Sequence, residues 1–460
     1  MIRPVSEERG RAWVDALIGA VCAAVGTTNL WKVDAIDQAL PVDLTLAALA
    51  VGAVVVFFAL VTRRLKIERE WLPLLAGFVL FLPALAATSL DNPYSVTKTY
   101  SLFTVCLLAA LAPMVLLNTP RRRRWFVAWL AVISAGISAA LLMNAPSTVD
   151  TSRAQFGDAN PIALGRIAAI GCVIFALLAL QRRGRARLLM AGGLVLCGTA
   201  AAATGSRGPL VAAVIAVVVV ALVSGGRSRV GTVVMLGVGA LAAWEVLQRF
   251  VSPAALQRLA DAYGGQSDQF RGRVISESLN LSWDHWLGVG WGDLADYLTS
   301  AARSDVEGWA QYPHNLLVEV LVEGGIAALV GLLVMLVASA RRLWRERKDQ
   351  TGAILLALWL FAVAGSMTSS DVIGNRVVWM MIGAGLAYPP LAKKARPEAR
   401  SARGAPRGVA AVHRDDDVAV NEADVAVTSE SDRHTVLRSE HRVSRDDHIG
   451  TTYRTPPKGL

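Results

Sequence analysis

The chain has 460 residues, 54% of them hydrophobic and only 18% charged, with 46 Lys and Arg against 36 Asp and Glu. Soluble chains carry about 25% charged residues, so a single soluble globule, a disordered chain and a disulfide-stapled secreted domain are excluded, and a polytopic membrane protein is indicated. The net charge of +10 then reads as basic cytoplasmic loops rather than nucleic-acid binding.

In chain order, Met1 to Arg11 is polar and basic, and the apolar stretch behind it lacks a clear cleavage site, which suits a retained first span. A bilayer core needs about 20 apolar residues per helix. Twelve stretches qualify: 13–31, 44–61, 71–90, 99–117, 125–143, 161–180, 188–204, 207–224, 230–250, 314–339, 352–370 and 376–392. The four cysteines (Cys22, Cys106, Cys172, Cys197) lie inside these stretches without metal-type spacing and read as small buried hydrophobes. With the N-terminus inside, the cytoplasmic segments take Arg63-Arg64-Leu65-Lys66, Arg121 to Arg124, Arg182-Arg183-Gly184-Arg185, Arg227 with Arg229, and Arg341 to Lys348. With the N-terminal segment these loops hold 22 basic residues against 11 on the other side. That asymmetry follows the positive-inside rule, placing both termini in the cytoplasm and the long loop 251–313 outside.

The expected fold is therefore an all-α polytopic membrane helix bundle. About 12 transmembrane helices occupy residues 1–394, and one long external loop holds two short helical stretches, 254–262 and 273–283. Residues 395–460 mix Arg, Asp, Glu, Ser and Pro and read as a disordered cytoplasmic tail, whose scattered His413, His434, His441 and His448 suit a solvated segment better than a metal site.

Polar residues where lipid would penalise them carry the functional signal, and they collect on the expected external side. Thr204-Gly205-Ser206-Arg207-Gly208-Pro209 opens the eighth span. Its outward N–H groups beside Arg207 make a ready phosphate site, the plainer alternative being an Arg snorkelling at the interface. Arg166 sits about one turn inside the sixth span, behind Asn160-Pro161, and either holds the same anion or snorkels. The external loop carries Arg271-Gly272-Arg273 and then Trp283-Asp284-His285-Trp286-Leu287-Gly288-Val289-Gly290-Trp291-Gly292. Its tryptophans suit an interfacial belt or a sugar platform. Last comes Pro313-His314-Asn315, with Glu319 and Glu323 one and two turns deeper on a shared face. A positive helix start disfavours imidazolium, so His314 suits a general base. The two glutamates are expected to face the interior, paired with Arg207 or Arg166, and to be structural or supporting. The alternative for His314 is a helix cap.

The run Pro313-His314-Asn315…Glu319…Glu323-Gly324-Gly325 resembles the signature of the O-antigen ligase and O-antigen polymerase superfamily. Gly205-Ser206-Arg207-Gly208 is similar to the family's Ser-Arg-Gly start of a membrane helix. The long loop before the His helix, with an Arg followed by a Gly-x-Gly turn, also agrees. Arg271 falls where the family Arg is expected, with Arg273 the near alternative. The departures are His285-Trp286 where the family has His-Pro, and Ile275 in place of a Trp.

The resemblance implies a metal-independent glycosyltransferase of the bacterial inner membrane. It needs no cofactor and acts at the periplasmic face on a glycan carried by a polyprenyl pyrophosphate such as undecaprenyl pyrophosphate. A ligase transfers that glycan to a lipid- or glycan-linked envelope acceptor; a polymerase transfers it to another carrier-linked repeat unit. Arg207 and Arg271, followed by Arg273 and Arg166, would clamp the pyrophosphate, with Ser206 and Asn315 beside them, and His314 would deprotonate the acceptor with inversion at the anomeric carbon. A transporter or flippase of an anionic lipid or solute, and a non-catalytic scaffold, are the readings from other classes. Oligomeric state is not legible in the chain.

Overall fold

The computed structural model describes residues 5–30, 43–62, 69–143, 160–224, 266–299 and 312–387. The expected ninth span at 230–250, the helical stretch 254–262 and the tail 395–460 lie outside the described residues.

Among the described residues every regular element is helical. The helices are α1 (Val5–Thr27), α2 (Leu44–Thr62), α3 (Leu72–Val79), α4 (Pro93–Leu116), α5 (Pro120–Met143), α6 (Pro161–Gln181), α7 (Gly184–Ala203), α8 (Arg207–Val223), α9 (Gln266–Asp284), α10 (Leu294–Tyr297), α11 (Leu316–Arg345), α12 (Gln350–Ser366) and α13 (Arg376–Leu386). Eight segments are long and apolar enough to cross a membrane: α4, α5, α6, α7, α11, α2, Ala12–Leu30 within α1, and Arg69–Ala86 around α3. Helices α8, α12 and α13 are apolar but shorter. The fold is thus a membrane-type helix bundle with eight such spans described, against the twelve expected.

Burial sorts the helices. In α2 only 11% of the most apolar window is buried, whereas in α6 the share is 72%. Both are apolar on all sides, so α2 turns its surface to lipid and α6 forms the centre. Small residues let backbones approach, as usual between membrane helices. A Cβ on Gly383 of α13 would strike the Ala110 carbonyl of α4, and one on Gly385 would meet Ser339 of α11.

Three elements depart from the expected spans for identifiable reasons. The stretch 71–90 breaks after α3 into a short 3-10 turn, Pro83–Ala86, because Pro83 lacks an N–H and crowds the preceding turn. Helix α4 starts at Pro93, six residues before the expected 99, with Asn92 accepting from the Tyr94 N–H at 3.0 Å. This is an Asn N-cap followed by Pro at the first helical position, and it draws Lys98 inside a span. The loop stretch expected at 273–283 is the longer α9.

Contacts define the two ends of the bundle. At one end Arg123 of α5 donates to the Ala387 carbonyl behind α13, Arg342 of α11 to the Leu386 carbonyl, and Arg347 to the Val223 carbonyl at the end of α8. Cations thus meet helix C-termini there. At the other end the starts of α4, α6, α8 and α11 converge on the end of α12 and the segment 367–375. Helix α13, with 11 residues, rises about 16 Å, roughly half of a hydrocarbon core of about 30 Å. Segment 367–375 lies directly before it and is largely enclosed by protein, where irregular backbone is tolerated at membrane depth.

Candidate active site

The site is built on the start of α11. Asn315 is its N-cap: Oδ1 accepts from the Leu317 and Val318 N–H groups at 3.1 and 3.2 Å, and Nδ2 donates to the Met367 carbonyl at 3.3 Å. Capping therefore belongs to Asn315, and His314 is left outside the helix with a positive φ of 57°, an uncommon conformation for a residue with a Cβ. Its ring packs on Tyr312, centroids 4.6 Å apart, and its Nδ1 is buried with no hydrogen-bond partner among the described residues. Burial first, and the Arg271 guanidinium second, push His314 down to about 4, while the Asp371 carboxylate pulls the other way. The imidazole is neutral near pH 7 and keeps a lone pair for a proton. Burial, followed by Asp371 and Glu319, pushes Tyr312 up to about 12, so it stays a phenol.

The arginines sort themselves by the faces they occupy. In α9 the residues Arg271, Val274 and Ser278 follow the i, i+3, i+7 spacing of one helix face. Val274 and Ser278 are fully buried, and the charge of Arg271 acts on His314. Arg273, two residues or about 200° on, is exposed. Arg166 is buried, and its Nη2 donates to the Gly365 carbonyl at 3.2 Å and to the Ser369 carbonyl and Oγ at 2.6 and 2.9 Å. It does not snorkel; it braces the end of α12, the favourable place for a cation.

Arg207 opens α8 with an exposed side chain. The turn before it uses Gly205 at φ 62°, and Ser206 Oγ donates to the Pro161 carbonyl at 3.4 Å, tying the start of α8 to that of α6. A Cβ on Gly208 would meet Thr368 Oγ1 at 2.8 Å, so α8 starts against segment 367–375.

Glu319 and Glu323 are fully buried, but neither expected arginine pairs with them. Their cation is Lys98 of α4, equally buried, with Nζ at 2.6 Å from Glu319 Oε1 and 2.7 Å from Glu323 Oε2. Each glutamate also accepts from a distant backbone N–H: Glu319 from Val372 at 3.0 Å and Glu323 from Gly292 at 2.9 Å. Arg166 is committed to the end of α12 and Arg207 is exposed at the start of α8, whereas Lys98 reaches inward from the second turn of α4.

Gly292 closes the glycine turn. Gly288, Gly290 and Gly292 all have positive φ. The Val289 and Gly290 N–H groups donate to the Val322 and Glu323 carbonyls, and the Ile326 N–H donates back to Trp286. These bonds form where α11 is broken at Gly325, φ 75°. Gly288 and Gly325 lie so close that a Cβ on either would collide with the opposite backbone. Trp291 is fully buried and donates from Nε1 to the Phe81 carbonyl. Trp283 and Trp286 stay exposed. His285 is held by the Leu281 carbonyl and Tyr297.

Two participants went unnoticed in the sequence. Asp371 acts electrostatically on His314, and it accepts from the Gly374 N–H at 2.7 Å and from Tyr94 Oη at 3.3 Å. The other is Lys98. The Asn92-Pro93 cap signature could have revealed Lys98 by moving the helix start; nothing local marks Asp371.

Residues 192–333 match the sequence model of a family described as O-Antigen ligase. Over those residues the chain is similar to O-antigen ligases. No curated protein matches the chain. The O-antigen ligase stretch contains Ser206, Arg207, Arg271, Arg273, His314, Asn315, Glu319 and Glu323, while Lys98, Arg166 and Asp371 come from helices and a segment outside it. Among the described residues no three His, Cys, Asp or Glu side chains gather as metal ligands.

Proposed function

We propose that this O-antigen ligase-like protein is a metal-independent membrane glycosyltransferase of the bacterial inner membrane. It transfers a glycan from a polyprenyl-pyrophosphate carrier to an envelope acceptor at the external face, both termini being cytoplasmic. The observation that carries the reading is a neutral, half-buried imidazole at a helix start, within electrostatic reach of the Arg271 guanidinium and the Asp371 carboxylate. The acceptor oxygen attacks the anomeric carbon and gives its proton to His314. The bond from that carbon to the pyrophosphate oxygen breaks, its electron pair leaves with the diphosphate, and the configuration inverts. Arg271 and Arg207, with Ser206 and the N–H groups opening α8, stabilise the departing charge. Arg166 is spoken for by α12 and acts by holding segment 367–375.

The test uses purified full-length protein in nanodiscs with a lipid-linked oligosaccharide donor and a lipid-linked acceptor. Wild type yields the transferred product. His314→Ala folds and inserts but loses transfer by about 10²-fold or more. Transfer by His314→Ala at the wild-type rate excludes the general-base role. A repeat-unit polymerase uses the same chemistry, and chain growth on a carrier-linked acceptor in this assay identifies it.

A further inference from the structure

We infer that the buried Lys98–Glu319–Glu323 ion triad is a positioning device that sets His314, Arg271 and Asp371 in one reacting geometry. The inference rests on the proposed role of His314 as general base.

Each arm of the triad ends on an element that carries one of these groups. Glu319 and Glu323 belong to α11, whose first turn follows His314. Through the Val372 N–H, Glu319 holds the residue next to Asp371. Through the Gly292 N–H, Glu323 holds the turn that follows α9, the helix of Arg271. Lys98 joins both carboxylates to α4, where Tyr94 donates to Asp371. Ser95 of the same helix donates to Asp293 at 2.6 Å, and Asp293 also accepts from the Ser89 N–H at 2.7 Å. No triad member reaches solvent, so none touches substrate. A charged group this enclosed keeps its partners tightly, because losing one leaves an uncompensated charge. The arrangement therefore has little slack, which suits chemistry that loses about 10²-fold for a 1 Å misplacement.

Glu319 separates positioning from chemistry, because a single oxygen, Oε1, serves both Val372 and Lys98. Glu319→Gln keeps that acceptor; Glu319→Leu keeps the size and removes it. In the nanodisc assay Glu319→Gln should retain at least about a third of kcat. Glu319→Leu should lose about 100-fold in kcat.

The pH profile provides a second readout. The charges that act on His314 are Arg271 from α9 and Asp371 from segment 367–375, and the neutral Tyr312 packs on its ring. Released from burial and from Arg271 in Glu319→Leu, it titrates nearer its ordinary value of about 6.5, so the acid limb of kcat/KM moves upward. In Glu319→Gln the limb stays in place.

Should Glu319→Leu fail to accumulate, the triple variant Lys98→Met/Glu319→Leu/Glu323→Gln removes the same acceptor, leaves no unpaired charge and is expected to show the same loss. Wild-type kcat in folded Glu319→Leu or in the triple variant overturns the inference. So does a Glu319→Gln as inactive as Glu319→Leu, which would make the carboxylate itself a reactant. If wild type transfers no glycan, it is the proposed function that has failed; an active wild type beside an active Glu319→Leu refutes the positioning role alone.

Discussion

His314 shows how a residue's chemistry is set by where its backbone is placed. Asn315 takes over the cap, and this leaves the imidazole outside the helix, half-buried, beside a guanidinium. Both burial and that neighbouring charge disfavour the protonated form, which fixes the sign of a pH effect. With its pKa lowered to about 4, the base stays available as pH falls through the range where an ordinary histidine would be protonated. The acid limb of kcat/KM for the free enzyme should therefore lie near pH 4 to 5, and rates at pH 5.5 and 7.5 should agree on that limb; a limb at 6.5 or above would show His314 to be solvated.

The two arginines of α9 differ in the same concrete way. Arg271→Lys removes a planar two-pronged donor from beside the base and should lower kcat/KM by about tenfold or more. Arg273→Lys, on the exposed face, should change it by no more than about threefold. Equal losses in the two would mean that α9 turns on binding substrate.

Within single elements, the break in α11 is the feature that most constrains the site. An apolar run from 314 onward reads as one uninterrupted span, yet at Gly325 the backbone leaves the helix and receives the glycine turn. A side chain there meets both a left-handed φ and the Leu287 backbone. Gly325→Ala should destabilise the protein by about 1–3 kcal/mol, seen as a lower melting temperature in detergent. Gly136→Ala in α5, where nothing lies within 4 Å of the new methyl, should be neutral or stabilising by up to about 1 kcal/mol. An equal effect of the two would contradict the tight docking of the turn. This break was visible in the sequence only as the pair Gly324-Gly325, and two glycines in an apolar run equally suit close helix packing. Pro83 and Asn92-Pro93 were clearer signals, because a missing N–H and an N-cap act within one turn.

For the whole molecule, the bundle has an arginine-rich end and a site end, and the proposed orientation puts the first in the cytoplasm. All four native cysteines are buried, so introduced ones report without background. In intact cells a membrane-impermeant thiol reagent should label Trp283→Cys, an exposed position on the side of the site. It should label Arg121→Cys, exposed at the start of α5, only after permeabilisation. The reverse pattern would invert the topology and place the chemistry inside the cell.

The sequence by itself determined the membrane class, most of the spans and the O-antigen ligase resemblance, and it singled out His314, Arg207 and Arg271 as candidates. Apolar run length, helix period and short motifs are local properties, and each can be read within a few turns of chain. Only the tertiary structure decided which cation meets the two glutamates, which arginine of α9 is exposed, and that the charges of Arg271 and Asp371 both act on His314. Lys98 and Glu323 are 225 residues apart, and the free energy of a buried charge depends on what the fold brings within hydrogen-bond distance of it, not on its neighbours along the chain.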